Sequence, residues 1–342
     1  MTADAARYQR VIEIADDSAV GEAKRCASAL TVELGGDETA AGRAAIVAAE
    51  LASNVLKHAG EGVLVLRRRP DATGSLELLA LDRGKGIASL TESMRDGYST
   101  AGSPGTGLGA IRRLSSEFDI FAAPGRGTAV LSRVRMADAP QPWERPAALA
   151  VGALSLPLRG EPACGDDWAV RTRRGGMTVL VADGLGHGPK AAEAAAAAVA
   201  AFREQPRGDP EADVHALDSA LRRTRGAALA VADILPANER LVYAGLGNIA
   251  GRVYGGPRYV SLVSLEGTAG SGTRRTRTFE YDWPPGAVLV MHTDGVASRW
   301  DLDAYPGLLG RDPVLIAGVL LRDARRERDD ATVLVVRDQR AA

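Results

Sequence analysis

A proline-rich stretch divides this chain into two parts. Residues 137–148 read ADAPQPWERPAA and contain Pro140, Pro142 and Pro146. Proline fixes φ and lacks a backbone N–H, so this density is incompatible with a helix or a central strand. Such a segment acts as a semi-rigid spacer. The sequence therefore predicts a linker over 137–148, a first domain over 1–136 and a second over 149–342, both of ordinary domain size.

The composition excludes several classes of protein. The chain has 342 residues, of which 46% are hydrophobic and 25% charged, the balance of a soluble globular protein. Lys and Arg number 42 against 43 Asp and Glu, so the basic excess of a nucleic-acid binder is missing. Cys26 and Cys164 are too few for a disulfide framework or a cysteine metal site. With neither a membrane-span pattern nor a signal peptide, we expect a cytoplasmic protein without nucleic-acid or membrane partners.

The two parts differ in their secondary-structure pattern. The first has two helical segments, 18–34 and 39–58, followed mainly by strands from residue 63 onwards. Helices gathered early, without strict βαβ alternation, favour an α+β layered domain. The second has many short strands with helical segments at 189–204, 211–225 and 313–325. That pattern predicts two sheets covered on the outside by helices.

The second helical segment carries polar residues at helical spacing. Glu50, Asn54 and His58 are four residues apart and therefore lie on one face of the helix. A buried helical face favours apolar side chains, so an acid and an amide placed there require a polar partner. Taken alone, each is also compatible with a solvated face, and we interpret His58, like His215, as structural.

Two glycine-containing segments follow in the first part. Asp82 comes directly after an apolar strand and precedes Gly84 and Gly86, and Gly105–Gly109 opens a predicted helix. Glycines let backbone N–H groups approach an anion, and the helix N-terminus adds a favourable dipole. The segments together therefore indicate a phosphate-binding site more strongly than each does alone.

In this order, the three segments resemble the N, G1 and G2 boxes of the Bergerat-fold (GHKL) ATP-binding proteins, the superfamily of gyrase, chaperone and histidine-kinase ATPases. The resemblance implies an α/β sandwich for the first domain. It also implies that Asn54 binds the Mg²⁺ of Mg-ATP, that Glu50 orients or deprotonates the attacking group, and that Asp82 accepts from the adenine amino group. Further ATP-binding residues implied by it are Gly86, Gly105, Thr106, Gly107, Leu108, Gly109 and Thr128.

The short form of the first domain narrows the resemblance. No His precedes His58, so the phosphoacceptor hairpin of histidine kinases is missing. With Asp96–Thr100 before the lid and Arg112–Ile120 after it, the domain resembles the anti-sigma-factor and stressosome-switch serine kinases, the latter more closely. Those kinases phosphorylate a Ser or Thr of a small STAS-domain antagonist. They often dimerise, so a homodimer is one expectation that no residue here fixes.

Four acids of the second part recur beside small residues at predicted strand ends: Asp166, Asp183, Asp294 and Asp329. Each alone is compatible with a simple turn. Together they can converge on a divalent cation, which relieves the repulsion between clustered carboxylates. Two such cations also lower the pKa of a bridging water and clamp a phosphoryl group.

This set resembles the PPM metal-dependent Ser/Thr phosphatases in the bacterial form typified by the SpoIIE sporulation phosphatase. The run Asp-Gly-Leu-Gly-His-Gly at 183–188 is its most specific element. The resemblance implies an αββα sandwich that holds two Mn²⁺ or Mg²⁺ ions. Asp183 would bridge both ions, the Gly184 carbonyl would bind one, and Asp166, Asp294 and Asp329 would complete the two shells.

Four neighbours of these acids receive supporting roles. We expect Asp167 and Asp330 to lie behind the ligands, where they orient them. His187 and His292 are interpreted as packing residues.

The two resemblances together predict a fused bifunctional regulator in a partner-switching circuit. The first half would use Mg-ATP to phosphorylate Ser or Thr of a STAS-domain antagonist, and the second would hydrolyse the phosphoester. A sigma factor or a downstream phosphatase or cyclase are further candidate partners. Two alternatives stay open: a phosphatase whose ATP-binding half is a non-catalytic sensor, and a non-catalytic module that sequesters a partner. An enzyme would turn over phosphate, whereas a sequestering protein would form a stoichiometric complex.

Overall fold

The computed structural model describes residues 9–69, 74–87, 107–136, 148–204, 208–272 and 276–340. Its contacts divide the chain into two compact units. The N-terminal unit comprises the described residues up to 136 together with Leu302–Arg322, and the C-terminal unit comprises the other described residues from 148 onwards. Residues 137–147 lie outside the description, so the linker and the domain boundaries stay predictions.

The N-terminal unit contains one five-stranded sheet, and the sheet order is β1-β2-β3-β5-β4 with antiparallel neighbours throughout. Its elements are β1 (Gln9–Ile14), α1 (Asp17–Glu33), α2 (Glu38–Ala59), β2 (Gly62–Arg68), β3 (Ser75–Asp82), α3 (Gly107–Leu114), β4 (Glu117–Ala122) and β5 (Thr128–Arg135).

Local sequence explains where the two long helices begin. The Asp16 carboxylate accepts a hydrogen bond from the Ser18 amide at 2.8 Å, and that of Asp37 accepts from the Ala40 amide at 2.7 Å. These N-caps satisfy amides that have no partner within the helix. Apolar residues of α2 such as Leu51 and Val55 then join residues of the sheet in one core. The predicted α+β layering of this half is confirmed.

The opposite face of this sheet is covered by the segment Leu302–Arg322, which comes from the second half of the sequence. Its second half belongs to helix α6 (Pro313–Ala324), whose residues 313–322 are all buried. A helix that is apolar on every side must be enclosed by protein. A Cβ added at Gly318 would lie 2.9 Å from Leu79 Cδ2 and 3.1 Å from Leu81 Cδ2, so α6 approaches β3 closely.

The C-terminal unit contains two five-stranded sheets, ordered β13-β10-β9-β8-β7 and β12-β11-β14-β15-β6. The elements of this unit are β6 (Leu149–Leu156), β7 (Asp166–Arg173), β8 (Gly176–Gly184), α4 (Pro189–Glu204), α5 (Pro210–Leu221), β9 (Ala227–Leu235), β10 (Arg240–Leu246), β11 (Ala250–Tyr254), β12 (Val260–Ser261), β13 (Phe279–Asp282), β14 (Val288–His292) and β15 (Ala331–Asp338).

The two sheets of this unit pack face to face. Apolar residues of both, among them Val179 and Leu289, form one core around the fully buried Trp283. Helices α4 and α5 cover the outer face of the sheet that contains β8 and β9. There Val199 of α4 and Leu217 of α5 form one hydrophobic core with the side chains on that face of the sheet. The predicted sandwich of sheets with outer helices is confirmed as the fold class. In the described part of the chain, none of the helices has the length and apolarity needed to cross a membrane.

Candidate functional site

Helix α2 places two predicted ATP-site residues beside the start of α3. Glu50 and Asn54 lie one turn apart on α2 and are both half-buried. A Cβ added at Gly107 would lie 3.2 Å from Asn54 Oδ1 and 3.5 Å from Glu50 Oε2. The helix that follows the glycine-rich segment therefore begins directly against the acid and the amide, and glycine at 107 permits this approach.

Asp82 ends β3 and is almost fully buried, with 9% exposure. Its Oδ1 accepts hydrogen bonds from the Gly84 amide at 2.8 Å and the Thr128 amide at 3.1 Å. Burial raises the pKa of the Asp82 carboxyl, and the two amides and the Arg322 guanidinium oppose that rise in part. Within the described residues only Oδ1 is engaged, which suits an acceptor for a ligand amino group.

Two glycines allow tight packing around Asp82. Gly86 has φ +71°, and a Cβ there would lie 2.0 Å from the Ala123 carbonyl oxygen. Gly127 has φ +69°, and a Cβ there would lie 2.0 Å from the Asp82 carbonyl oxygen. Neither position can accept a side chain without movement of the backbone. Gly86 and Gly127 therefore let the neighbouring backbone pack closely around Asp82.

The other predicted ATP-site residues divide into those the structure places and those it does not. Thr128 begins β5 and is the register partner of Asp82. Gly107, Leu108 and Gly109 form the first turn of α3. Gly105, Thr106 and the segment 96–100 lie outside the described residues. The structure therefore brings Thr128 to Asp82 and Gly107 to Asn54 and Glu50.

In the C-terminal unit, two of the predicted metal ligands face each other across neighbouring strands. Asp166 at the start of β7 is the antiparallel partner of Asp183 near the end of β8. Directly opposed residues project to the same face of a sheet. Thr293 Oγ1 donates a hydrogen bond to Asp166 Oδ2 at 2.7 Å and accepts one from the Thr332 amide at 2.9 Å. Sequence analysis missed Thr293, although it stands directly before Asp294.

The other two predicted ligands lie at one end of an antiparallel strand pair. Asp294 follows β14 and Asp329 precedes its neighbour β15. A Cβ added at Gly295 would lie 1.8 Å from the Asp330 carbonyl oxygen, so the two chain segments touch. Asn248 Nδ2 donates to Asp294 Oδ2 at 2.7 Å. Sequence analysis also missed Asn248, since a single exposed amide in a loop carries no motif.

The four acids form one electrostatic cluster. Burial, together with the charges of Asp294, Asp329 and Asp330, raises the pKa of Asp183 to about 7. Burial and the Asp183 charge raise the pKa of Asp166 well above its usual range. Burial and the Asp329 charge raise the pKa of Asp294. Mutual repulsion of this kind is relieved by a bound cation, and carboxylate oxygens are the donors that Mg²⁺ and Mn²⁺ prefer.

The carboxylates of this cluster are farther apart than the ligands of one bound ion. Among the described residues, no group of three His, Cys, Asp or Glu side chains is arranged to hold one ion. The mutual effects on the pKa values nevertheless place Asp183 within electrostatic reach of its acidic neighbours. Donor chemistry and charge therefore fit divalent cations, and coordination would draw the carboxylates closer. Gly184 follows Asp183 at the end of β8, which approaches α4 so closely there that a Cβ at Gly184 would meet the Ala191 oxygen at 2.1 Å.

Three of the supporting residues make structural contacts. Asp330 is buried, and its carboxylate accepts from the Leu158 amide at 2.7 Å and the Gly165 amide at 2.9 Å. It therefore fixes the turn before Asp166. His292 is buried between the Thr293 carbonyl, 2.8 Å from Nδ1, and the Trp300 indole N–H, 3.2 Å from Nε2. His187 Nδ1 lies 2.7 Å from Glu161 Oε1.

Burial is the dominant influence on Asp167. It raises the pKa of this carboxyl to about 6, and the Trp168 amide donates to Asp167 Oδ1 at 2.8 Å. That amide belongs to the next residue in β7, so the described contacts of Asp167 are local.

Replacing Asn248 with Ala is expected to weaken Mn²⁺ binding by about tenfold, because loss of an outer partner of a ligating carboxylate typically costs this much. Calorimetric titration of the full chain with Mn²⁺ measures the change. Asn238→Ala, an exposed amide elsewhere in the same unit, is the matched control. Equal affinities in both variants would contradict a role for Asn248 in orienting Asp294.

Two family models match this chain, one in each half of the sequence. Residues 14–134 match the histidine kinase-like ATPase domain, and residues 173–339 match stage II sporulation protein E (SpoIIE). Serine/threonine-protein kinase RsbT of Bacillus subtilis (strain 168) is 30% identical over 123 residues, which are 36% of this chain and 92% of that protein.

Two solved structures each resemble slightly more than half of this chain. One of them is a structure described as the bacterial stressosome, a modular system that has been adapted to control secondary messenger signaling. Its chain is 26% identical to this one with a TM-score of 0.52, and the match covers 55% of this chain and 99% of that chain. RsbX in complex with magnesium is 21% identical with a TM-score of 0.51, covering 57% and 97%, and this likeness supports the fold alone. The chain thus belongs to the family of the histidine kinase-like ATPases that includes RsbT, and its second half matches the SpoIIE family model.

Proposed function

We propose that this protein both phosphorylates and dephosphorylates Ser or Thr of one STAS-domain antagonist in a cytoplasmic partner-switching circuit. The observation that carries the proposal is the presence of two separate polar constellations in one chain. One is the contact of Glu50 and Asn54 with Gly107, and the other is the carboxylate cluster around Asp183. Similarity to the kinase RsbT and to a stressosome chain supports the choice of circuit.

In the first half, bound Mg-ATP would supply the phosphoryl group. Asn54 would hold Mg²⁺ through its amide oxygen, and Asp82 would accept from the adenine amino group. Glu50, one helical turn from Asn54, would accept the proton of the attacking Ser or Thr hydroxyl. A carboxylate placed one turn from the ion-holding amide is in position to act as a general base.

In the second half, a pair of Mn²⁺ or Mg²⁺ ions would supply an activated water. Asp166, Asp183, Asp294, Asp329 and the Gly184 carbonyl would hold the ions. The hydrogen bonds from Thr293 to Asp166 and from Asn248 to Asp294 would keep two of these carboxylates in orientation. Burial and the repulsion from neighbouring acids raise the pKa of Asp183 to about 7, and ion binding would remove the repulsion.

The test is an incubation of the full chain with a STAS-domain protein, labelled ATP and Mn²⁺. We expect the unaltered protein to show continuous ATP consumption with little phosphorylated partner, because the two activities oppose each other. Asp183→Asn should let phosphorylated partner accumulate, and Glu50→Ala should leave the partner unmodified while ATP still binds. Asp282→Asn, an exposed acid at the end of β13, is the matched control and should behave as the unaltered protein.

Other outcomes separate the alternatives. If Asp183→Asn accumulates no phosphorylated partner although ATP binds, the first half is a nucleotide sensor. If neither activity occurs and the partner forms a stoichiometric complex, the protein is a sequestering module. Mass spectrometry would locate the phosphorylated residue, and removal of phosphate from a different residue or protein would contradict the shared substrate.

A further inference from the structure

A residue from the second half of the sequence reaches the backbone of the predicted adenine acceptor. Arg322 lies near the end of α6 and is 9% exposed. Its Nη1 donates to the Asp82 carbonyl oxygen at 2.9 Å and lies 3.5 Å from that of Thr128. In the reverse direction, the Arg83 guanidinium donates to the Arg322 carbonyl oxygen. The side chain thus bonds the two strand ends that carry the adenine-side residues.

These contacts act on a pair that is already joined. Asp82 and Thr128 are register partners in β3 and β5, and the Thr128 amide donates to Asp82 Oδ1 at 3.1 Å. A guanidinium bonded to the Asp82 carbonyl limits rotation of that residue, and hence the direction of its carboxylate. Gly127 makes the approach possible, because a Cβ there would lie 2.9 Å from Arg322 Nη1.

Further contacts of α6 with the sheet hold Arg322 in this position. Directly before α6, the Asp312 amide donates to Asp119 Oδ2 at 2.8 Å, and Arg133 Nη1 donates to Asp312 Oδ2 at 2.7 Å. In its middle, Gly318 packs against Leu79 and Leu81 of β3. The arrival of Arg322 at Asp82 is therefore set by contacts along the whole length of α6 with the same sheet.

We propose that Arg322 is a positioning residue of the adenine site, which orients Asp82 for recognition of the base although it lies in the phosphatase half of the sequence. This inference rests on the proposed binding of ATP at Asp82. Charge supports it, because the Arg322 guanidinium lowers the pKa of Asp82 against the effect of burial and so favours the acceptor form.

The test is calorimetric titration of the full chain with Mg-ATP and with Mg-GTP. Arg322→Met keeps the apolar stem but removes the guanidinium, and it should weaken ATP binding by about tenfold, the value of a charged hydrogen bond. The preference for ATP over GTP should fall as well, since the acceptor for the adenine amino group is no longer oriented. In an Asp82→Asn background the same substitution should change affinity less than twofold, because Arg322 acts through Asp82.

Arg311→Met is the matched control, since Arg311 also lies in Leu302–Arg322 and its Nη1 lies 3.3 Å from Asp119 Oδ1. This contact is just before the start of α6, away from Asp82. Arg322→Lys gives a second variant should Arg322→Met fail to fold, and it should recover part of the ATP affinity. An equal loss in the Arg311 and Arg322 variants, or an unchanged ATP-to-GTP ratio, would overturn the inference. If the unaltered chain binds no ATP, the proposed function of the first half fails instead, which is a distinct result.

Discussion

Asp183→Asn is expected to abolish phosphate release from a phosphoserine substrate and, at the same time, to stabilise the metal-free protein above pH 7. A neutral amide cannot bridge two dications, so hydrolysis stops. Stability rises because burial and three neighbouring acids raise the pKa of Asp183 from 3.8 to about 7. Between these values the folded state binds more protons than the unfolded state, so the free energy of unfolding falls as pH increases. Removing the charge should recover on the order of 3 kcal/mol at pH 8.

Denaturant unfolding in the presence of a chelator, at pH 5 and at pH 8, measures the effect on stability. At pH 5 only the lower part of the window between these pKa values has been crossed, so the variant and the unaltered protein should differ less than at pH 8. Added Mn²⁺ should stabilise the unaltered protein and have much less effect on the variant. Asp282→Asn controls for loss of an exposed acid. Undiminished hydrolysis, or no gain in stability at pH 8, would remove Asp183 from the centre of the cluster.

Glu77→Ala is expected to destabilise the N-terminal unit by about 3–5 kcal/mol, because it removes the buried carboxylate that pairs with the guanidinium groups of both Arg67 and Arg133. Glu77 is 1% exposed on β3. Its Oε1 accepts from Arg67 Nε at 2.7 Å and its Oε2 from Arg133 Nε at 2.8 Å. The Arg133 guanidinium also contacts Asp312, so the same carboxylate supports the docking of Leu302–Arg322.

The contribution of Glu77 to the free energy of unfolding depends on pH with the opposite sign from that of Asp183. Burial by itself raises the pKa of Glu77, but Arg67 and Arg133 outweigh it and lower the value from 4.5 to about 2. The stabilisation is therefore fully present above pH 4.5 and is lost as pH falls towards 2. Denaturant unfolding from pH 7 down to pH 2 should show this loss in the unaltered protein and in Glu61→Ala, an exposed control, but not in Glu77→Ala. A change below 1 kcal/mol at pH 7 would contradict the account.

Local patterns in the sequence were enough to predict most elements and most pairs of candidate residues. The predicted helix over 189–204 coincides with α4, Pro189–Glu204, because a run of alanines ends at turn-forming residues on both sides. The spacing of Glu50 and Asn54 predicted a shared helical face because the period of the helix is a local property. Strand-end acids such as Asp166 and Asp183 were likewise predicted from their position beside small residues at strand ends. The short strands β11, β12 and β13 were missed because they have few residues and lie among glycines and loops.

The supporting contacts depended on folding, since they join residues that share no local pattern. Thr293 contacts Asp166 and Asn248 contacts Asp294 because β-strands distant in sequence end at the same edge of the sandwich. Asp330, predicted from the sequence to lie behind the metal ligands, accepts hydrogen bonds from the backbone amides of Leu158 and Gly165, the latter directly before Asp166. A lone hydroxyl or amide acquires such a role only when tertiary packing brings its partner within hydrogen-bonding distance.

The sequence by itself determined the fold class of each half, and it predicted a two-part organisation and the residues of both candidate sites. The sequence also predicted a helix over 313–325, and the structure shows that residues 313–322 of this helix are all buried. Only the tertiary structure decided what buries it. Helix α6 covers β3 in the N-terminal unit, and Arg322 bonds to Asp82, 240 positions earlier in the chain. Hydrophobic burial is non-directional, so a sequence can require that a surface be covered without specifying which surface will cover it.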